Sequence, residues 1–314
     1  DVERSRGLGD VYKRQNIVRS DKVYLGLLDT EYENKSKYFK DNLLKYFKEK
    51  FEIQNIPFES DNFRFDALQF LNMTHISPEA FNTNYRSEVA LLNDAFWNDC
   101  KLYIEDGIEQ FEKNGIESHI DKYTFTVLLG DSKKPTMYLN NNYGGDGGIP
   151  GYIFISLVPN QYTISRIKSA IAHEINHNIR YQYIKWDGGS LTELIISEGL
   201  AENFVEKMYG TKYLGPWVTE IDWDQQNNKI KNTIKENLDI NNMFEAMPYL
   251  YGDEITRMQG GVPVGLPHAA GYTCGYYLIK YYLEKTQRTI EEATIKSSDE
   301  ILKEVNDFWN TNII

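Results

Sequence analysis

The chain of 314 residues holds only five histidines and two cysteines, Cys100 and Cys274. Two cysteines so far apart cannot build a Cys-rich zinc site, and they read as two free buried thiols. Basic side chains are outnumbered, 34 Lys and Arg against 46 Asp and Glu, which leaves a net charge of −12. A nucleic-acid partner normally requires a basic face, so that class is disfavoured. Long hydrophobic runs are also missing. A membrane helix needs roughly 18 consecutive apolar residues, and the longest runs here, such as residues 152–158 (YIFISLV), are strand-sized. No membrane span is expected in these residues. There is no internal repeat and no low-complexity tract.

What remains is ordinary for a soluble globular protein, 41% hydrophobic and 25% charged. The 23 tyrosines read first as packing residues. Residues 1–15 (DVERSRGLGDVYKRQ) lack an initiator Met, and GLGDVYKRQ resembles translated sequencing-adapter sequence. They are taken as a non-native leader and kept out of the fold reasoning. The compartment stays open.

Along the chain, residues 23–28 suggest a short strand. Residues 30–51 place Tyr38, Phe39, Leu43, Leu44, Phe47 and Phe51 at helical spacing, and a second helical pattern runs from Pro78 to about Lys113. Residues 16–118 therefore read as a mainly helical N-terminal region. Residues 123–129 (YTFTVLL) alternate and are rich in β-formers, so they predict a strand, with a second at 136–139 and a third at 152–158. The glycine-rich stretch between them, residues 140–151 (NNNYGGDGGIPG), lacks a Walker lysine and a strand–GxGxxG–helix context. It reads as a mobile loop beside a cleft. Helices are predicted over 165–184, 191–209, 224–238, 268–285 and 298–309. Helices, then a small sheet, then helices imply an α+β fold.

The chemistry is concentrated in Ala172-His173-Glu174-Ile175-Asn176-His177, an H-E-x-x-H sequence. Residues four apart on a helix share one face, so two imidazoles can bind one zinc ion. Glu174 then sits beside the metal, where a carboxylate can take a proton from the attacking water. A catalytic zinc needs a third protein ligand. The H-E-x-x-H-x-x-G-x-x-H extension fails, because Arg180 and Tyr183 stand where Gly and His are required. Asp187 lies in a glycine-rich turn without a supporting motif. Glu198, 21 residues after His177 in Ser197-Glu198-Gly199-Leu200-Ala201-Glu202, fits a ligand on the following helix. Glu193 is the fallback, although a helix start favours an acidic residue for dipole reasons alone. Glu202, one turn past Glu198, is a candidate to accept the second ring N–H of a ligand histidine, His173 first. The competing reading of Glu202 is a solvated charge.

Further on, His268, Tyr272 and Tyr276 recur at intervals of four, and Gly271 and Gly275 mark another face that admits a close neighbour. Tyr272, with His268 as the second choice, is a candidate oxyanion donor. Plain aromatic packing competes with that reading.

The H-E-x-x-H helix followed by S-E-G-L-A-E resembles the gluzincin metallopeptidases, whose third zinc ligand is the first Glu of such a downstream motif. More narrowly, residues 123–129, 152–158, Ile171-Ala172-His173-Glu174, SEGLAE and the late Ala-Gly-Tyr-x-x-Gly-Tyr resemble the YjaZ-type predicted Zn-dependent proteases of bacteria. The resemblance spans about residues 123–283. It implies a zincin-like catalytic domain over 119–314, zinc on His173, His177 and Glu198, and Glu174 as general base acting on a peptide or protein substrate. In zincins a substrate strand often adds to an exposed sheet edge, and residues 152–158 are the candidate edge. The rival is a catalytically inactive zincin-scaffold protein of the cell envelope or of another assembly, although an intact Glu174 speaks against it. A zinc hydrolase acting on other amides is a third option.

Overall fold

A computed structural model of the chain describes residues 15–60 and 65–311. Four strands form one mixed sheet: β1 (Gln15–Ile17), β2 (Tyr123–Leu129), β3 (Tyr143–Asp146) and β4 (Tyr152–Leu157). Their order is β1-β2-β4-β3, parallel at β1–β2 and β2–β4 and antiparallel at β4–β3. Most other elements are helical, so the α+β class holds. The expected leader lies outside the described residues except for Gln15, which belongs to β1. No helix among the described residues is long and apolar enough to cross a membrane.

The chain divides into two compact units, Asp1–Ile108 with His119–Asn178 and Glu109–Ser118 with Ile179–Ile314. In the first, every residue of β2 is buried, as expected for a strand flanked on both sides by parallel neighbours. Residues 23–28, expected as a strand, are instead the end of helix α1 (Ser20–Leu27) and its C-cap Leu28. An apolar run of six residues does not separate the two states by periodicity. Here Val23, Tyr24 and Leu27 share a buried helical face, and the Leu129 N–H donates to the Tyr24 hydroxyl at 3.0 Å. The single helix expected over 30–51 breaks at Leu43, whose φ of −125° leaves the helical range. The result is α2 (Lys35–Asn42), a 3₁₀ turn and α3 (Lys48–Ile53). Phe47 and Phe51 thereby reach Phe154 of β4, with ring centroids 4.4 and 6.1 Å apart.

The helical pattern from Pro78 is interrupted in the same way. The helical residues Arg86–Leu91 end with Leu92 at the C-cap, and Asn93 restarts the pattern by accepting the Phe96 N–H, opening α4 (Asp94–Lys113). Residues 136–139 are one helical turn, Pro135–Tyr138, with proline at its favoured first position, and not a strand.

The strand expected at the sheet edge, residues 152–158, is interior. The glycine-rich stretch folds back as β3 and pairs outside β4, with Tyr143 opposite Leu157 and Asp146 opposite Phe154. Glycine pairs are poor strand formers, so nothing local announces β3. The first unit ends in α5 (Gln161–Tyr183), which continues into the second and buries Ile167, Ile171, Ile175 and Ile179 as its spacing predicts.

The second unit holds α6 (Leu191–Tyr209), α7 (Trp223–Lys235), α8 (Met243–Tyr251), α9 (Ala270–Thr286) and α10 (Ser298–Glu304). The patterns at 191–209, 224–238 and 268–285 recover α6, α7 and α9 closely, whereas α8, which carries Pro248 inside it, gave no clear signal. α6 and α9 touch backbone to backbone. A Cβ on Gly199 would run into the Gly275 carbonyl, and one on Gly275 into that of Ile195. The expectation of a close neighbour at Gly275 is met, and Gly271 likewise lies against Leu250. Cys100 and Cys274 are free and buried, as expected.

His75 gives the first unit a measurable acid response. Its Nδ1 lies 2.9 Å from the Leu71 carbonyl and its Nε2 2.6 Å from Ser156 Oγ, which places the proton on Nδ1 and leaves Nε2 as acceptor. Burial pushes its pKa down to about 4, opposed only in part by the Leu71 bond and the Asp146 charge. Between the ordinary 6.5 and about 4, the unfolded chain binds a proton that the folded chain refuses. Stability therefore falls as pH drops through that window, by roughly 3 kcal/mol at its acid end. His75→Gln should flatten that slope. Denaturant titrations at pH 7 and pH 5 in which both proteins lose the same stability would contradict this account.

Candidate metal centre

His173 and His177 lie one turn apart on α5, and both are buried. Their Nε2 atoms stand 3.1 Å apart, and the ring planes cross at 77°. Two nitrogens on one tetrahedral zinc, each at roughly 2.0–2.1 Å, would be roughly 3.3 Å apart, so the pair is set for a shared ion. Glu198, half-buried in the middle of α6, completes the group. One ligand atom from each of His173, His177 and Glu198 falls within 4.8 Å of the others. Two imidazoles and a carboxylate are a donor set that zinc accepts, and the residues present fit that metal.

The other ligand candidates are occupied differently. Both Glu193 oxygens receive Arg180, from Nε and Nη2 at 2.8 Å each. Asp187 is exposed, and its Oδ1 accepts the N–H groups of Gly189 and Ser190, closing the turn before α6.

Glu174 is buried, and its place explains Gly145 of β3 and Gly147 just after it. A Cβ on Gly145 would come within 2.6 Å of the Glu174 carboxyl carbon, and one on Gly147 within 2.8 Å of the Glu174 Cβ. Glycine inside a strand often marks such a close approach. The stretch expected as a mobile loop is tied down in its middle and at its C-terminal end. Lys50, wholly buried, pairs with Asp146 at 2.7 Å. Asn178, directly after His177, accepts the Gly151 N–H at 2.8 Å. Its amide nitrogen lies at 2.9–3.0 Å from the carbonyls of Gly147, Ile149 and Tyr152. Asn178 escaped the sequence reasoning. Its signal is an amide side chain directly after a candidate ligand, which becomes meaningful once its backbone partners are known.

The remaining candidates form a second neighbourhood. Glu202 is buried and accepts the Gly215 N–H and the Trp217 indole N–H, both at 2.8 Å. The Trp217 ring lies 6.1 Å from that of Tyr272, which lies 5.9 Å from Tyr251. His268 places Nδ1 at 3.2 Å from the Tyr251 carbonyl. Trp217 thus joins Glu202 to Tyr272, a link that sequence spacing did not suggest. His268 does not share a helix face with Tyr272 and Tyr276. α9 begins at Ala270, after Ala269 adopts a left-handed φ of 58°, and this places His268 in the preceding turn. Tyr276 is buried and donates its hydroxyl to Glu206 at 2.7 Å.

Residues 96–303 match the family described as "Predicted Zn-dependent protease (DUF2268)". The chain belongs to this family. It is also similar to "Uncharacterized protein YjfC" of Bacillus subtilis (strain 168), 37% identical over 230 residues that cover 73% of this chain and 69% of the relative. No solved structure matches it. The family match takes in His173, Glu174, His177, Glu198, Glu202, His268 and Tyr272, whereas β1 and α1 to α3 precede it.

Asn178→Ala removes a side chain that holds three backbone groups of the glycine-rich stretch and the Tyr152 carbonyl, and leaves those carbonyls without that donor. It should lower unfolding stability by about 3 kcal/mol in chemical denaturation. A loss below about 1 kcal/mol would mean that the stretch is held by other contacts.

Proposed function

We propose that the protein is a zinc-dependent metallopeptidase with a gluzincin-type centre, in which His173, His177 and Glu198 hold the metal within a zincin-like catalytic region over residues 119–314. The observation that carries this reading is the convergence of those three side chains, with Glu174 one residue from His173 on the same helix. The family to which the chain belongs supports the zinc and the protease chemistry by its description.

Bound zinc supplies Lewis-acid polarisation of the scissile carbonyl and makes water acidic near neutral pH. Glu174 takes the proton of the attacking water and returns it to the leaving amine. Its burial against Gly145 and Gly147 keeps the carboxylate in one place, as general-base catalysis requires. Tyr272 is the first candidate to donate to the developing oxyanion, and His268, displaced into the turn, the second. Glu202, fixed by Gly215 and Trp217, is read as the carboxylate that orients the ring of a ligand histidine. A peptide substrate is read as adding to β3, the terminal strand whose Gly145 lies against Glu174.

The purified protein should carry one zinc per chain. His173→Ala combined with His177→Ala should abolish that stoichiometry in metal analysis, because one carboxylate alone rarely retains zinc. Retention by the double variant would place the metal elsewhere. Glu174→Gln keeps size and hydrogen bonding, so zinc content and thermal stability should barely change. Hydrolysis of a peptide library should fall by about 10²–10⁴-fold. Equal cleavage by the variant would exclude Glu174 as base. Absence of cleavage by zinc-loaded wild type over a broad library would favour an inactive scaffold.

A further inference from the structure

Arg180 stands three residues beyond His177 on α5 and is fully buried, yet the chemistry above makes no use of it. All five guanidinium N–H groups are engaged. Nε and Nη2 meet the two oxygens of Glu193 at 2.8 Å each. Nη1 reaches the carbonyls of Thr294 at 2.9 Å and Lys296 at 2.8 Å. Nη2 also reaches Ser298 Oγ at 3.0 Å, and Ser298 in turn donates to Glu193. Glu193 is fixed in the first turn of α6, where its N–H is capped by Ser190 Oγ at 3.0 Å. It lies five residues before Glu198.

A buried ion pair of this kind is a weak device for stability. Apolar side chains of similar volume in its place are often neutral or stabilising. What hydrocarbon cannot supply is direction. Two helices packed through methyl groups slide along each other cheaply, whereas a planar fork on a carboxylate, with its other donors on fixed carbonyls, admits one register. Register matters here because a metal site tolerates ligand misplacement of only about 0.2 Å.

We infer that Arg180 and Glu193 are positioning residues of the metal centre. They clamp the histidine helix α5 against the ligand helix α6 in one axial register, with residues 294–298 as the third jaw. The inference rests on the zinc site proposed above and adds residues that touch neither metal nor substrate.

The test uses the full chain and zinc alone. Arg180→Met by itself would strand a buried carboxylate and is expected to destabilise the protein, so the informative variant is Arg180→Met with Glu193→Met. Its metal-free form should melt within a few degrees of wild type. Its zinc affinity, read by competition with a chromophoric chelator, should be weaker by about 10- to 100-fold. Ser298→Ala, which keeps the ion pair and removes one bond to the fork, should fold normally and show a smaller loss in the same direction. A folded double variant that binds zinc within about two-fold of wild type would overturn the clamp and leave the zinc site standing. If the double variant does not fold, unchanged zinc affinity in Ser298→Ala overturns the clamp instead. If wild type itself binds no stoichiometric zinc, the metal-site reading fails and takes the clamp with it.

Discussion

Ten consecutive residues of α5, 171–180, are buried, and six of them carry polar side chains. A helix buried on every side is normally apolar on every side, because each polar group removed from water needs a partner. Five of the six have neighbours that can be named, and these lie in separate directions. His173 and His177 face each other and Glu198, Glu174 lies against the glycines of β3, Asn178 takes four backbone groups, and Arg180 takes a carboxylate and two carbonyls. The isoleucines between them provide the apolar burial that keeps the helix in place. Much of the local architecture follows from placing those partners, including the odd composition of the 140–151 stretch.

This division also explains what could be read in advance. The histidine pair was legible because helical periodicity is a property of four neighbouring residues. Glu198 was legible because one turn and half a helix separate it from the pair, and the short connection left few geometries. β2, β4 and α6 were legible because their apolar patterns agree with their burial. The misplacements have the opposite character. β3 carries only one strand-favouring residue, Tyr143; it pairs along the edge that β4 offers, and its Gly145 admits Glu174. The break at Leu43 lets Phe47 and Phe51 reach Phe154, and the restart after Leu92 uses Asn93 as a cap, which apolar periodicity does not register. His268 keeps the four-residue spacing of a helix but lies before the helix begins, since spacing alone does not locate a cap. Asn178, Arg180 and Trp217 were missed for one reason: their meaning lies in partners 13 or more residues away or in backbone atoms, which a one-dimensional pattern does not record.

The region before the family match is more than an appendage to the sheet. It contributes β1, places Phe47 and Phe51 on β4, and provides the buried lysine that holds Asp146 at the end of β3. The Tyr152 hydroxyl also donates to Glu49 of α3 at 2.5 Å. Sequence reasoning assigned these residues no role, because each of these contacts is made with strands that come much later in the chain.

The parallel pairing of β1 with β2 has a kinetic corollary. Gln15 pairs with Tyr123 and Ile17 with Phe125, so the first strand waits for a partner more than a hundred residues downstream. At ribosomal speeds of about 5–20 residues per second, that interval is roughly 5–20 s of synthesis. Closing so long a loop also carries an entropic cost that shorter-range contacts must first offset. During that time the sheet cannot assemble from its beginning. The hairpin-like pairing of β3 with β4 and the adjoining α5, all close in sequence, are the parts able to form early. The first of the described strands thus has to wait for β2, which until they pair presents an open edge.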